Sequence, residues 1–365
     1  MTPLAPTPYL AVDLERLQGN IDRMAALARD AGVALRPHVK THKCVEIARM
    51  QVEAGAQGIT VATIGEGEVF AETGFDDVFI AYPLWLDEAK AERLVRLSQR
   101  IGGRSILLGV DAEAGVANVA RAQGLGAKVQ VLVEIDSGHH RSGVSPAKVA
   151  DIAYEAEDAG VGFAGVFTFP GHSYAPGEGR FGAAVDEAQA LAVAKAALEA
   201  EEIDTESLLF SGGSSPSAAF TATVGEASPL NELRPGVYVF GDAQQWELGA
   251  CAADDIALTA HATVVSHAGG RAVLDSGSKI LGADRAPWAT GYGRLLDHPD
   301  ARIVILSEHH AVVDMAGAEL PPLGSVVRVV PNHACNAVNL VDTLTVTSTN
   351  GDIQTWAVAA RGANA

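Results

Sequence analysis

Five basic or imidazole side chains lie within eight residues in segment 36–43, whose sequence is RPHVKTHK. Apolar residues precede and interrupt the segment, so it begins like a buried strand. Because uncompensated polar groups are costly to bury, the segment is either a solvent-facing loop or the lining of a polar cavity. A lysine in such a cavity can lose its proton and become a nucleophile. Lys40 is therefore a candidate for Schiff-base chemistry.

Similar polar clusters follow several later apolar runs, at 136–143 (DSGHHRSG), 170–174 (PGHSY), 211–217 (SGGSSPS) and 234–238 (RPGVY). The Gly/Ser run is typical of an anion cradle, because glycine lets backbone N–H groups approach a phosphate and serine adds donors. An ordinary Gly/Ser turn is the alternative. Arg141 could bind a phenolate or a carboxylate, or could be a surface arginine.

His333 and Cys335 form a His-x-Cys pair directly after a Val-rich run. On an extended backbone both side chains would share one face, so imidazole and thiolate could bind the same metal. This soft pair favours zinc, and two protein ligands would leave positions for water and substrate. The alternative is a buried free cysteine beside a loop histidine.

The elements that would position these residues alternate between short apolar runs and Ala-rich helical stretches. Helices between consecutive strands indicate parallel pairing, and eight such units match the size of a (β/α)8 barrel. The alternative is an open doubly wound sheet, but no GxGxxG follows the first strand. In a barrel the polar clusters would all lie at the C-terminal ends of the strands. The eight predicted strands are 33–39, 58–62, 78–81, 105–110, 129–135, 162–169, 207–210 and 237–240.

After about residue 246, helical periodicity gives way to runs rich in Val, Ile, Leu and Thr, which indicate an all-β domain. We therefore expect a barrel over 14–245 and a β domain over 246–365 that carries the His-x-Cys pair. Residues 1–13 could join the β domain.

The net charge of −19 argues against a nucleic acid or an anionic membrane as partner. Three cysteines are too few for a disulfide framework. No signal-peptide pattern or membrane-spanning apolar run is present, so we expect a cytoplasmic protein.

The motifs RPHVKTHK, SGGSSP, ELRPGVY and PNHACN occur in this order along nearly the whole chain. They resemble the D-serine dehydratase/D-threonine aldolase family of pyridoxal-phosphate enzymes, which have an alanine-racemase-type barrel. The resemblance implies that Lys40 binds the cofactor covalently and that Arg141 lies near its phenolate oxygen. It also implies that Arg234 or Tyr174 faces the pyridine nitrogen. The cofactor's phosphate would be bound by Ser211, Gly212, Gly213, Ser214, Gly236 and Val237.

The same resemblance implies that His42 and His172 are catalytic residues near the substrate or the lysine. His333 and Cys335 would bind a divalent metal, zinc or alternatively manganese. In this family the β domain of one subunit packs on the barrel of another, so the resemblance implies a homodimer.

The implied activity is a lyase reaction on a small β-hydroxy-D-amino acid. A dehydratase would convert D-serine, D-threonine or 3-hydroxy-D-aspartate to a 2-oxo acid and ammonia. An aldolase would instead give glycine and an aldehyde. The family's dehydratases tend to have His-x-Cys and its aldolases His-x-Asp, so the chain is expected to be a dehydratase.

Two other classes remain open. One is a metal-independent racemase or decarboxylase on the same barrel. The other is a non-catalytic pyridoxal-phosphate-binding protein, although such carriers lack a β domain with a metal motif.

Overall fold

The computed structural model describes residues 5–225 and 228–365, which form two compact units. One unit contains the residues up to 23 together with 41–50 and 237–362. The other contains 24–40, the described part of 51–236, and 363–365. The chain starts with strand β1 (Tyr9–Asp13) and helix α1 (Leu14–Asp30).

A parallel eight-stranded sheet forms the core of the unit that contains 51–236, in the order β2-β9-β8-β7-β6-β5-β4-β3. A parallel bridge between His38 and Thr60 joins its two ends, and the Thr60 N–H donates to Pro37 O at 2.8 Å. The sheet is therefore a closed (β/α)8 barrel, which confirms the predicted fold class. Its strands are β2 (Ala34–Leu35), β3 (Ile59–Val61), β4 (Val78–Ile80), β5 (Ile106–Val110), β6 (Val129–Glu134), β7 (Gly162–Phe167), β8 (Leu209–Gly212) and β9 (Glu232–Leu233).

Helices follow most of these strands, as right-handed parallel crossovers require. The strands β3, β4 and β5 are buried along their whole length, which explains their continuous apolar sequences. The helices are α2 (Val45–Glu53), α3 (Ile64–Glu72), α4 (Glu88–Arg100), α5 (Glu113–Gly124), α6 (Val149–Asp158), α7 (Gly179–Ala200) and α8 (Thr221–Val224).

The other unit is built on a nine-stranded, mostly antiparallel sheet, as the β-rich sequence predicts. β11 pairs with both β10 and β14, which closes part of the sheet into a barrel, and β1 lies between β10 and β16. The remaining elements are β10 (Leu258–Ser266), β11 (Ala272–Leu274), β12 (Gly293–Leu295), β13 (His298–Leu306), β14 (Ala311–Asp314), β15 (Val326–Pro331), β16 (Thr343–Thr347), β17 (Ile353–Ala357), and helices α9 (Ala243–Glu247), α10 (Ser278–Leu281) and α11 (Ala334–Val338).

One predicted strand is wrong. Residues 237–240 do not form the eighth barrel strand; they begin with a single 3-10 turn, Val237–Val239, and Val239 and Phe240 are buried. The eighth strand is β9, which contains the charged Glu232 and pairs with β2 and β8. An apolar run indicates burial, and burial alone does not distinguish a strand from a turn. Within the described residues, no helix is long and apolar enough to cross a membrane.

Candidate active site

The ring of Phe169, just after β7, gathers side chains from several barrel loops. Lys40 Nζ lies 5.9 Å from the ring centroid and Arg141 Cζ lies 5.2 Å from it. The His139 ring packs edge-on at 5.5 Å and the Tyr174 ring lies at 6.3 Å. Loops that follow β2, β6 and β7 thus converge at the C-terminal end of the strands. This convergence brings Lys40, Arg141 and Tyr174 together, as the sequence predicts, around an aromatic ring that sequence reasoning missed.

One carboxylate shapes the loop that carries Arg141. Asp136 Oδ1 accepts the N–H groups of Gly138 at 2.9 Å and His140 at 3.0 Å. Burial raises the pKa of Asp136, but these donors together with the His140 ring outweigh burial and lower it. The ionised carboxylate therefore holds the loop in a turn that directs Arg141 towards Phe169.

The Gly/Ser segment after β8 is cross-linked to the loop after β7. Ser214 Oγ lies 2.8 Å from Ser173 Oγ and 2.8 Å from Ser217 Oγ, and all three hydroxyls are buried. The Ser214 N–H donates to Ser217 Oγ at 3.0 Å. These bonds fix the backbone of the predicted phosphate loop.

Arg234 is buried inside the barrel. Its guanidinium lies over the rings of Phe79 and Phe167, at 5.3 and 5.1 Å, and donates to Ser211 Oγ at 2.8 Å and Thr168 O at 2.5 Å. Burial lowers the pKa of Arg234, and the surrounding carboxylates oppose that shift. These contacts hold the Arg234 guanidinium inside the barrel.

Ser211 belongs to a polar network within the same barrel. Its hydroxyl donates to Glu232 Oε1 at 2.6 Å while it accepts from Arg234, so its proton is already used. Glu232 also accepts from Arg36 Nε at 2.7 Å, and Arg36 pairs with Asp77. Ser211 therefore organises the strand end, and phosphate donors would come from the residues after it.

Two polar atoms near this site are buried with no hydrogen-bond partner among the described residues: Glu134 Oε2 and His172 Nδ1. Burial raises the pKa of Glu134, although Ser142 and the guanidinium of Arg141 oppose the shift. Buried unsatisfied polar groups are rare in native structures and often mark a functional site. Nothing in the sequence pattern distinguishes Glu134, the last residue of β6.

His172 and His42 have different surroundings. His172 Nε2 lies 3.1 Å from Asp186 Oδ2, and its ring packs so closely on Gly138 that an added Cβ would lie 3.2 Å from Cε1. His42 is completely buried, in the other unit, and its Nδ1 accepts the Cys44 N–H at 3.1 Å, next to the start of α2. That nitrogen supports the backbone and is not available as a base.

The predicted metal pair lies in the unit that contains β10–β17. His333 Nδ1 lies 2.8 Å from Asp284 Oδ2, and Cys335 Sγ donates to Thr41 Oγ1 at 3.2 Å. Burial alone would lower the pKa of His333, but Cys335, Asp284 and Asp242 raise it well above its ordinary value. Burial raises the pKa of Asp242 itself to about 6. Acidic groups therefore surround this imidazole and favour its protonated form.

We predicted that an extended backbone puts His333 and Cys335 on one face, and this is wrong, although the two side chains do interact. His333 is extended, with φ −135°, but it caps α11, and Cys335 lies in the first turn of that helix. Within the described residues, no group of three or more His, Cys, Asp or Glu side chains is arranged to hold a metal. A His-Cys pair with other positions left to water and substrate fits an open catalytic site and not a closed structural one.

The residues present also fit pyridoxal phosphate. At one end of the barrel, the Lys40 amine matches the aldehyde of this group and the Phe169 ring matches its aromatic ring. The fixed Gly/Ser segment matches the phosphate, and Arg141 matches the phenolate. Gly236 lies in the same unit, whereas Val237 belongs to the other, in its buried turn.

Comparisons with known proteins are consistent with these features. A model of the alanine racemase N-terminal domain matches residues 12–244, and a model described as a putative serine dehydratase domain matches 257–347. D-threo-3-hydroxyaspartate dehydratase from Delftia sp. (strain HT23) is 33% identical, over 96% of both chains. D-threonine aldolase from Arthrobacter sp. is 34% identical, over 98% of this chain and 93% of that one. A solved metal-free form of a mutant D-threo-3-hydroxyaspartate dehydratase superposes with a TM-score of 0.87 over 97% of both chains, at 32% identity.

Proposed function

Because the chain belongs to the alanine racemase N-terminal domain family and carries a putative serine dehydratase domain, we propose that it is a pyridoxal-phosphate- and metal-dependent dehydratase of β-hydroxy-D-amino acids. The observation that carries the proposal is the grouping of Lys40, Arg141 and Tyr174 around Phe169. The relatives that act on D-3-hydroxyaspartate and D-threonine support the substrate class. The products are a 2-oxo acid and ammonia.

Pyridoxal phosphate, when bound, supplies an electron sink for the bond broken at Cα. Lys40 would hold this group, and its amine is the base that would take the proton from Cα. Arg141 would donate to the phenolate oxygen, and Tyr174, with Arg234 as the alternative, would face the pyridine nitrogen. The segment after Ser211 would bind the phosphate.

His333 and Cys335 would hold a divalent cation, which would supply a Lewis acid that favours departure of the β-hydroxyl group. We expect zinc, given the thiolate ligand, with manganese as the alternative. The Asp284 carboxylate would orient the His333 ring through Nδ1, so that Nε2 is left for the metal. His172, which follows β7 and is bonded to Asp186, is the candidate proton carrier.

Product analysis tests the reaction. The purified protein is loaded with pyridoxal phosphate and zinc and incubated with D-threonine, and the products are separated. We expect 2-oxobutanoate and ammonia, and loss of both after chelation. Glycine and acetaldehyde would establish the aldolase, which the 34% identity to D-threonine aldolase makes the second candidate. Turnover that resists the chelator would indicate a racemase or decarboxylase.

A second experiment tests Lys40. Borohydride reduction of the loaded protein should fix the cofactor to the peptide that contains Lys40. Lys40→Ala should lose this label and all turnover, whereas Lys148→Ala, at an exposed position before α6, should keep both. Full activity of Lys40→Ala would contradict the proposal. A homodimer, implied by family resemblance, is tested by light scattering on a sizing column.

A further inference from the structure

Glu187 is a buried carboxyl group on α7 that contacts the Gly/Ser segment after β8. Only 5% of its surface is exposed. Its Oε1 accepts the N–H of Gly213 at 2.8 Å. It is thus a buried acid whose hydrogen bond reaches directly into the predicted phosphate loop.

The two glycines of the loop fit around this carboxyl group. A Cβ on Gly212 would lie 2.4 Å from Glu187 Oε1, so a larger residue there would displace the acid. Gly213 has φ +80°, a conformation that favours glycine. Gly212 therefore leaves room for Glu187, and Gly213 donates its N–H to it.

The residues after Gly213 are tied into the cluster of Ser173, Ser214 and Ser217 hydroxyls. The bond to Glu187 therefore comes directly before the hydroxyl cluster along the chain. If the Gly213 N–H lost its acceptor, the first residue of the loop would be free to rotate, and the donors after it would lose their common direction.

The charge of Glu187 matters because the loop is expected to hold an anion. Burial raises the pKa of Glu187 to about 7, while the Gly213 N–H and Arg234 oppose the shift. Arg234 is the charged group that affects the pKa of Glu187. The turn Gly171–Ser173 also packs against α7, but its titratable residue, His172, is bonded to Asp186 and not to Glu187. A neutral carboxyl can accept the Gly213 N–H without repelling a phosphate, whereas a carboxylate would repel it.

We propose that Glu187 is a positioning residue for the phosphate of the cofactor: its carboxyl oxygen holds the Gly213 amide so that the loop presents its donors to the phosphate. This inference rests on the proposed function, because it assumes that the loop binds pyridoxal phosphate. Glu187 touches neither the substrate nor the reacting atoms.

The test measures the affinity of the full-length protein for pyridoxal phosphate by its absorbance, at pH 6 and pH 8.5. Glu187→Gln keeps an uncharged acceptor and Glu187→Ala removes it. Glu199→Gln, at an exposed position on the same helix, is the matched control. Pyridoxal, which lacks the phosphate, is titrated in parallel, so that a general structural defect is separated from a phosphate effect.

At pH 6 we expect Glu187→Gln to bind pyridoxal phosphate within about threefold of the unmodified protein, and Glu187→Ala to bind it about tenfold more weakly, as for the loss of one well-placed hydrogen bond. At pH 8.5 Glu187→Gln should bind pyridoxal phosphate at least about threefold more tightly than the unmodified protein does. The reason is that the carboxyl group of Glu187 ionises in the unmodified protein, whereas the amide of the variant does not. Ratios between variants at one pH cancel the titration of Lys40 and of the phosphate itself. Pyridoxal affinity and the control variant should be unchanged.

Equal affinities of the Gln variant and the unmodified protein at both pH values would overturn the role of the uncharged form. An Ala variant with undiminished affinity, or one that loses pyridoxal binding equally, would overturn the positioning role. If Glu187→Ala does not fold, the Gln comparison decides. Failure of the unmodified protein to bind pyridoxal phosphate would refute the proposed function itself, a result that differs from all of these.

Discussion

His261, in the centre of the nine-stranded sheet, should make this unit sensitive to acid. Only 7% of the residue is exposed, and its Nδ1 lies 2.8 Å from the Tyr9 hydroxyl. Burial, and to a smaller extent Arg328 on the neighbouring strand, lower its pKa to about 4, although Asp297 opposes the shift. Below pH 6.5 the unfolded chain therefore binds a proton that the folded protein resists, and stability falls as the pH falls.

The size of the effect follows from the two pKa values. With 6.5 in the unfolded chain and about 4 in the folded protein, lowering the pH from 7.5 to 5 costs about 2 kcal/mol from this one residue. At still lower pH the loss approaches about 3.4 kcal/mol. His261→Gln, which can still bond to Tyr9 but does not titrate, should remove this part of the acid sensitivity.

The assay is urea unfolding at pH 7.5 and pH 5, followed by tryptophan fluorescence. Trp246, Trp288 and Trp356 lie in the unit that contains His261, so they report mainly on it. His309→Gln, at an exposed position between β13 and β14, is the control and should behave like the unmodified protein. If His261→Gln lost as much stability on acidification as the unmodified protein, the assignment of this acid sensitivity to His261 would be refuted.

Three further changes test the two units. Arg36→Met should lower the free energy of unfolding by about 3–5 kcal/mol, because Glu232 would stay buried without its ion-pair partner. Urea unfolding measures this loss, and a second change, Glu232→Gln, should recover part of it. An Arg36→Met protein of unchanged stability would contradict the argument. Asp284→Asn should weaken zinc binding by about 10–100-fold, since the carboxylate orients the His333 ring; calorimetry with zinc measures it, and unchanged affinity would show that Asp284 is dispensable. Phe169→Leu should weaken pyridoxal-phosphate binding and shift the cofactor's absorbance, because the ring contacts Lys40 and Arg141 and each cation–π contact contributes about 0.5–1 kcal/mol. An unaltered spectrum and affinity would argue against a role of the Phe169 ring in binding the cofactor.

Much of the fold could be predicted because it follows from periodicity. Continuous apolar strands between amphipathic helices indicate a parallel barrel, and the change to short Val/Ile/Thr runs indicates the second unit. The failure at the eighth strand has the same origin. β9 contains Glu232, which is buried only because Arg36 and Ser211 neutralise and bond it, and no local pattern reveals partners so distant in sequence.

The candidate site was predictable where residue type alone implies chemistry, as for Lys40, Arg141 and the Gly/Ser loop. It was not predictable where the contribution depends on tertiary position. In the sequence, Phe169 resembles an ordinary core residue and Glu187 an ordinary surface residue of a helix. Only the structure shows the ring close to Lys40 and the buried carboxyl group at Gly213. Ser211 shows the converse, since its motif indicates phosphate binding but its proton is used inside the barrel.

The position of β1 also bears on how the protein is made. Tyr9 is bonded to His261, 252 residues further along the chain, and the other neighbour of β1 is β16. A ribosome therefore releases this strand long before either partner exists, and the complete barrel sequence is synthesised in between. Pairings of such long sequence separation form slowly. We expect the barrel to fold first during synthesis. The apolar strand Tyr9–Asp13 would stay unpaired and accessible to chaperones until the last strands are synthesised.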